Sequence, residues 1–354
     1  CGLAVHCEAV GGLAGLDLGD GGLELGLGGV ETIDDLAEVK RLVVEVAKDT
    51  AVLNADNPYT LKMAAHTPAQ HICYVTTNPR NGLVREHIKL GKRAFVLEQG
   101  ANGEQIVIYD NENQIPLIWT HLIPATIEGK AVHNVENAMF AAAMAYALGL
   151  TLDQIRAGLR TFDSTFYQSP GRMNVFDEHG FRVILDYGHN EAAVGAMVDL
   201  VERLEPKGKR IVCVTCPGDR RDEDARAIAK TVAGKFDLYF CHSDDDPRGR
   251  EPDEIPKMLR DTLIAEGVDA DAVHVAPQEL DSIDRALEAA RPDDLVLIFC
   301  DGIVRCWKRI IYFQPVEKPA PRTPEATVAE SGFDVPEGYR IISDDRGVRI
   351  VPDA

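Results

Sequence analysis

Across residues 181–311 the hydrophobic period switches repeatedly between that of a strand and that of a helix. Apolar runs at 181–185, 211–215, 238–241, 273–275 and 295–299 alternate with amphipathic stretches near 191–204, 222–234, 253–265, 281–290 and 303–311. Runs this short and this uniformly apolar are strands covered on both faces, with the helices as crossovers between them. The pattern predicts a doubly wound parallel sheet, in which ligands bind beyond the carboxyl ends of the strands. Polar loops fall at those ends: residues 186–190, 217–224, 242–250 and the pair Asp301-Gly302.

The first of these loops organises the rest of the reading. Residues 169–190 (SPGRMNVFDEHGFRVILDYGHN) open with a Ser-Pro-Gly turn, present Arg172, and run into a strand that ends on Asp186. Gly188, His189 and Asn190 follow, immediately before a helix. An Asp, a His and an Asn beside a helix amino terminus suit a sugar hydroxyl, a metal or a phosphate.

Upstream, residues 1–10 read as a strand, and the Gly-Leu-Asp alternation of residues 11–29 reads as a loop of low order, because so much glycine carries a large backbone entropy cost. Residues 32–47 form an amphipathic helix capped by Thr32, with Leu36, Val39, Val43 and Val46 as its apolar stripe. Lys40 sits at the edge of that stripe, where its head can reach a cleft or its stem can simply pack down. Strands follow at 50–53, 71–75, 93–97 and 105–109, the first ending in the polar turn Asn54-Ala55-Asp56-Asn57-Pro58. Residues 133–148 (HNVENAMFAAAMAYAL) are a small-residue helix stopped by Gly149. Asn134 and Asn137, three apart, share one side of its first turn; they can read a ligand such as an adenine edge, or Asn134 can serve as a plain N-cap. Residues 151–162 form a further helix with a Thr151–Gln154 capping box. Beyond residue 314 a Pro-rich linker leads to a tail, 331–354, with the pattern of a small hairpin.

Composition narrows the function classes. A formal net charge of −20 argues against nucleic acid and anionic membrane as partners, and no apolar run reaches membrane-spanning length. The eight cysteines lie mostly in apolar runs, as reduced buried thiols of a cytoplasmic protein do. Cys213 and Cys216 are nominally a C-x-x-C pair, but without a second pair at zinc spacing they read as structural. A first residue Cys1 rather than Met is expected of a processed or truncated piece.

Four segments together, HNVENAMFAAAMAYALGL, SPGRMNVFDEHGF with VILDYGHN, PGDRRDED and LVLIFCDGIVRCWKRII, resemble the Mur ligase superfamily and, within it, the Mur-like half of the cyanophycin synthetases, from about Leu25 onward. The fold this resemblance implies is a truncated Mur ligase central domain over residues 1–168, lacking its phosphate-loop part, then a Rossmann-like carboxyl-terminal domain over 169–314, with 315–354 as linker and tail. The implied activity is ATP- and Mg²⁺-dependent amide formation through an acyl phosphate, joining arginine to aspartate side-chain carboxylates of a polymer, cyanophycin. By position in the family's motifs, Asn134 and Asn137 lie near the adenine, Asp186 binds ribose, and Arg172 contacts the phosphates. Lys40 matches a lysine that bridges metal once carbamylated, His189 and Asn190 lie on the acceptor side, and Asp219, Arg220, Arg221 and Asp222 contribute to substrate binding.

This sequence departs from the family in three places: the phosphate loop and its lysine would lie upstream of residue 1, Leu23-Glu24 replaces an Asp-His pair, and Glu191 replaces a proline. The ligase reading therefore expects an upstream phosphate loop and an ATP-grasp half, in the same or a longer chain, and a homo-oligomer. Two other readings stand beside it. One is a catalytically inactive scaffold that binds nucleotide or polymer or supports oligomerisation, and the other is a ligase of the folate or muramyl-peptide kind.

Overall fold

A computed structural model describes residues 5–6, 32–314, 339–344 and 347–352. The expected loop at 11–29 and the departure at Leu23-Glu24 lie outside the described residues. The chain divides into two compact units, Cys1–Glu317 and Lys318–Ala354. In the second, β13 (Tyr339–Asp344) and β14 (Gly347–Pro352) pair as an antiparallel hairpin, as the pattern of the tail predicts.

The first unit holds two six-stranded sheets. In the amino-terminal sheet the spatial order follows the chain: β1 (Val5–His6), β2 (Thr50–Asn54), β3 (His71–Thr76), β4 (Ala94–Gly100), β5 (Gly103–Asp110) and β6 (Asn113–Trp119). The strands β1 to β4 run parallel, whereas β4, β5 and β6 form an antiparallel meander. One face is covered by α4 (Val132–Ala147) and α5 (Leu152–Thr161), around Phe95, Met139 and Phe140. The other face packs Leu53, Met63 and Val84 beneath α1 (Ile33–Glu45), α2 (Pro58–Met63) and α3 (Gly82–Lys89).

Thr32 caps α1 as expected, in a reciprocal box with Asp35. The stripe assigned to this helix requires correction. Leu36, Val44 and Ala47 are buried, while Val43 and Val46 are exposed, as is Leu42. Residues 36, 40, 44 and 47 follow one helical line, so half-buried Lys40 lies among the inward positions. Helix α3 falls where the sequence shows a weak helical segment between the strands at 71–75 and 93–97; it begins after Pro79 and the capping residue Asn81.

The carboxyl-terminal sheet has the order β11-β10-β9-β12-β8-β7. Its parallel strands are β8 (Arg182–Asp186), β9 (Arg210–Val214), β10 (Leu238–Cys241), β11 (Val273–Val275) and β12 (Leu295–Phe299), and β7 (Asn174–Phe176) is antiparallel to β8 at the edge. Helices α6 (Glu191–Leu204), α7 (Asp222–Val232) and α8 (Glu254–Ala265) share a core with one face, and α9 (Glu279–Ala289) and α10 (Ile303–Tyr312) with the other. This is the doubly wound sheet that the alternation predicts. Phe299, fully buried in the first of these cores, is a residue whose truncation to alanine costs about 3–5 kcal/mol. Among the described residues six cysteines are free and buried, Cys213 and Cys216 included, in keeping with the reduced-thiol reading.

Candidate functional site

The chain crosses from one sheet to the other through residues 162–173, and this crossing is fixed by two buried polar side chains. Asn174, fully buried, accepts from the Gly171 N–H (2.7 Å) and donates to the carbonyls of Ser164 and Ser169 (both 2.8 Å). Asp186, at the carboxyl end of β8, accepts from the Met173 N–H (2.8 Å) on one oxygen and from the Gly188 N–H (2.7 Å) on the other. The Tyr187 N–H in turn donates to the Gly171 carbonyl (2.8 Å). Left-handed backbone at Gly171 (φ +74°) and at buried Met173 (φ +49°) lets the chain turn tightly enough for these bonds. A side chain at residue 171 would overlap Ile303.

Arg172 sits inside this clamp, with its guanidinium 5.7 Å from the centre of the Tyr187 ring. His189 is buried; its Nδ1 lies 3.0 Å from the Tyr187 carbonyl and its ring meets that of Tyr187 edge-on at 5.0 Å. Burial pushes the Asp186 carboxyl above its ordinary value, against the opposing pull of the two N–H groups, Arg172 and His189.

A cavity of about 800 Å³ opens beside this clamp. Asn134, Asn137, Arg172, Asp186 and Asn190 all line it. Its floor is an apolar bed from α4 and α5, including Ala138, Ala141, Ala142, Ile155 and Leu159, and its far wall is the small-residue start of α6. The alanines of α4 are what give the cavity room at this point.

Within the cavity the amides have partners. Asn134 donates to the Ala125 carbonyl (2.7 Å), and its oxygen accepts from Asn137 (3.2 Å). Asn134 is not the N-cap of α4, which is Ala131 without a side-chain cap; the plain capping alternative is thereby corrected. Asn190 does cap a helix, accepting from the Ala193 N–H of α6 (2.8 Å) while bordering the cavity.

Two lining residues escaped the sequence reading. His133 is driven down to about 4 by burial, so it stands neutral in the wall. Glu136 accepts from Asn54 (2.7 Å), and burial raises its carboxyl. The signal was available, since residues 133, 134, 136 and 137 fall on adjoining lines of one helix face.

The remaining sequence candidates lie elsewhere. Lys40, on α1, does not line the cavity, and neither does His189. Asp219, Arg220, Arg221 and Asp222 belong to the loop after β9 and are engaged in fixing it. Arg221 and Asp224 close a capping box at the start of α7. Asp219 receives Arg248 (3.0 Å), and Asp222 pairs with Arg250 (2.9 Å) and Arg226 (3.2 Å). Arg250 also donates to the carbonyls of Gly218 (2.7 Å) and Arg220 (2.8 Å). The loops after β9 and β10 approach so closely that a Cβ on Gly218 would overlap the Pro247 carbonyl. In the acidic run, Asp244 accepts from Thr215 (3.1 Å), Asp245 pairs with Arg305 and Asp246 accepts from the Arg248 N–H.

Comparison with known proteins agrees with this architecture. Residues 171–302 match the family described as Mur ligase, glutamate ligase domain. The chain is 38% identical over 300 residues to a cyanophycin synthetase of Trichormus variabilis, covering 79% of this chain and 31% of that protein. It is 30% identical to a UDP-N-acetylmuramoyl-L-alanyl-D-glutamate--2,6-diaminopimelate ligase of Halalkalibacterium halodurans, over 71% of this chain and 46% of the relative. The chain thus spans about a third of the length of the cyanophycin synthetases it matches. Among solved structures, a pseudomurein peptide ligase type C from Methanothermus fervidus superposes with a TM-score of 0.53 at 20% identity, over 79% of this chain and 59% of that one. The MurF ligase of Thermotoga maritima, solved in complex with ADP, gives 0.50 at 15% identity, over 79% and 56%. The two-sheet fold, the residues matched and these relatives together place the chain in the Mur ligase superfamily, as a relative of the cyanophycin synthetases with a glutamate ligase domain at residues 171–302.

Proposed function

We propose that the chain is the amide-forming part of a ligase of the cyanophycin synthetase kind, with its two domains meeting at residue 168/169. In this reading ATP phosphorylates an aspartate side-chain carboxylate of a poly-aspartate backbone, and the α-amino group of arginine displaces the phosphate. The supporting observation is that Asn134, Asn137, Arg172 and Asp186, from two different sheets' elements, face one cavity large enough for a nucleotide. A ligase of this fold, from Thermotoga, was solved in complex with ADP, in keeping with a nucleotide ligand.

The residues present fit such a ligand in kind. The apolar bed of α4 and α5 offers a face for a base, and the oxygen of Asn137 and the amide pair offer polar edges. Asp186 keeps acceptor capacity for a hydroxyl on each oxygen beyond the one N–H it holds. Arg172, braced by Tyr187, supplies the fixed cation that phosphoryl transfer needs. Mg²⁺ would neutralise phosphate charge and be held mostly by phosphate and water, since Glu136 and Asp186 are the carboxylates lining the cavity among the described residues. Lys40 would join a metal only as a carbamate. Asn190, at the border of the cavity, with His189 beside it in sequence, and the tied loops carrying Asp219, Arg220, Arg221 and Asp222 would receive the acceptor and the amino acid.

The test is phosphate release from ATP with Mg²⁺, arginine and a poly-aspartate primer, by the chain alone and extended upstream. Release that requires both arginine and primer supports the reading. No arginine-dependent turnover from either form overturns it. Tight nucleotide binding without turnover would instead favour the scaffold reading, for which the internal bonding of Asp186 and Asn190 speaks.

A further inference from the structure

On the opposite face of the carboxyl-terminal sheet from α6, three potential metal donors converge in the protein interior. They are Glu279 at the start of α9, Cys300 just after β12, and Cys306 in the first turns of α10. All three are buried, at 0%, 3% and 0% exposure, and one donor atom from each lies within 4.8 Å of the others. The Cys306 thiol already points its proton at Glu279 Oε2 (3.1 Å). We propose that these three residues form a binding site for a thiophilic divalent cation of the zinc type.

The chemistry of the donors selects the ion. Two sulfurs and one carboxylate oxygen suit Zn²⁺, whereas Mg²⁺ and Ca²⁺ require oxygen shells. In a tetrahedral zinc site, donor atoms about 2.0–2.3 Å from the metal stand roughly 3.5–3.8 Å apart, so the Cys306–Glu279 pair, at 3.1 Å, opens slightly and no donor pair, all within 4.8 Å here, moves far. The chain supplies three donors and water the fourth.

Charge balance decides in the same direction. Without metal, the Glu279 carboxylate is offset by the Arg305 guanidinium, which bonds to it directly. Both cysteines are free thiols. A divalent cation that binds both sulfurs releases two thiol protons, and the buried net charge does not change. A monovalent soft cation would leave one buried negative charge in excess, which the interior opposes.

The outer shell is also in place. Glu279 Oε1 accepts from the N–H groups of Asp301 (2.6 Å) and Gly302 (3.3 Å), and Oε2, which Arg305 also binds, meets the Cys306 sulfur. Arg305, which bonds to Glu279, also lines a surface recess of about 400 Å³ with Leu280, Lys308 and Tyr312. A bound ion would tie α9 and α10 to the Cys300-Asp301-Gly302 corner. That corner faces Arg248 (Asp301, 3.6 Å) and Tyr187 (Asp301, 3.5 Å), so the ion would stiffen one end of the loop set near the candidate site.

The experiment is titration of the chelator-stripped, reduced chain with Co²⁺ and with Zn²⁺. The expected result is a single tight equivalent with thiolate-to-cobalt charge-transfer absorption, displaced by Zn²⁺ and untouched by excess Mg²⁺. Cys300→Ser and Cys306→Ser should each abolish that absorption, Glu279→Gln should weaken binding about tenfold or more, and Cys73→Ser, in the other sheet, should change nothing. Should the serine variants fail to fold, cadmium-113 resonance of the unsubstituted chain counts the sulfur ligands directly. A shift typical of two sulfurs supports the site. Absence of the absorption, its persistence in both serine variants, or a cadmium shift without two sulfurs overturns it.

Discussion

The cavity and the loop edge of the carboxyl-terminal sheet are built on opposite principles. The α4–α5 side is mostly apolar and made of small residues, and its few polar groups are amides, a neutral imidazole and the buried carboxyl of Glu136. The loop edge of the other sheet is dense in fixed charge, with Arg248, Arg250 and Arg305 each tying one loop to another. One side is shaped by what has been left out, the other by cross-links between ions. A ligand would find a preformed surface on the first and a braced frame on the second, and the two should respond differently to substitution and to pH.

The sharpest test removes the residue on which both sides depend. Asp186→Ala leaves the buried Met173 and Gly188 N–H groups without an acceptor and should cost about 3 kcal/mol in urea unfolding. Nucleotide affinity, read by calorimetry, should fall with it. An unchanged unfolding midpoint would show that the clamp does not hold the turn.

Next in size is a pH response of opposite sign on the two sides. His133 stays neutral in the fold down to about 4, whereas in the unfolded chain it protonates near 6.5. The unfolded state therefore binds more protons between those values, and stability is lost as pH falls through that window. Asp244 is raised by burial and by Asp301 to about 6 from its ordinary 3.8, so its contribution is complete below 3.8 and lost as pH rises toward 6. Each shift corresponds to roughly 2–3 kcal/mol, and between pH 4 and 6 they offset one another. Thermal melts across that range should show Asp244→Asn gaining stability with pH more steeply than the parent, and His133→Gln less steeply. Parallel curves for all three would break the contrast.

Smaller effects should separate the loop edge from the cavity. Gly218→Ala forces the loops after β9 and β10 apart and should cost about 2 kcal/mol. If the proposed function holds, it should also raise the KM for arginine with little change in nucleotide affinity. Asp219→Ala removes a half-exposed pair with Arg248 and should cost under about 1 kcal/mol. A larger loss would mean that this pair works as part of a network.

Much of the carboxyl-terminal sheet was legible in the sequence because strands covered on both faces leave uninterrupted apolar runs. Helix α1 was legible in extent but not in orientation. Leu42, Val43 and Val46 are as apolar as Leu36, Val44 and Ala47, so composition alone does not tell inside from outside. Helix starts and strand ends marked Asn134, Asn137, Asp186 and Asn190 as candidates, but their convergence with Arg172 on one cleft was implied by the family resemblance. Asn174 was not legible, because its partners are backbone atoms contributed by a turn whose path the side chains do not announce. The Glu279 cluster was equally hidden, since its members come from three segments and only the topology of the sheet brings them within reach.

The clamp around Arg172 also sets what can move. Gly171 and Met173 are bonded to Tyr187 and Asp186, so Arg172 travels with the carboxyl-terminal sheet, whereas Asn134 and Asn137 travel with α4. Asn174 also holds the Ser164 and Ser169 carbonyls, so any swing between the halves must be taken up before Ser164. The gap from Arg172 to the asparagines is then a gauge of opening, and its distance to Asp186 a fixed reference.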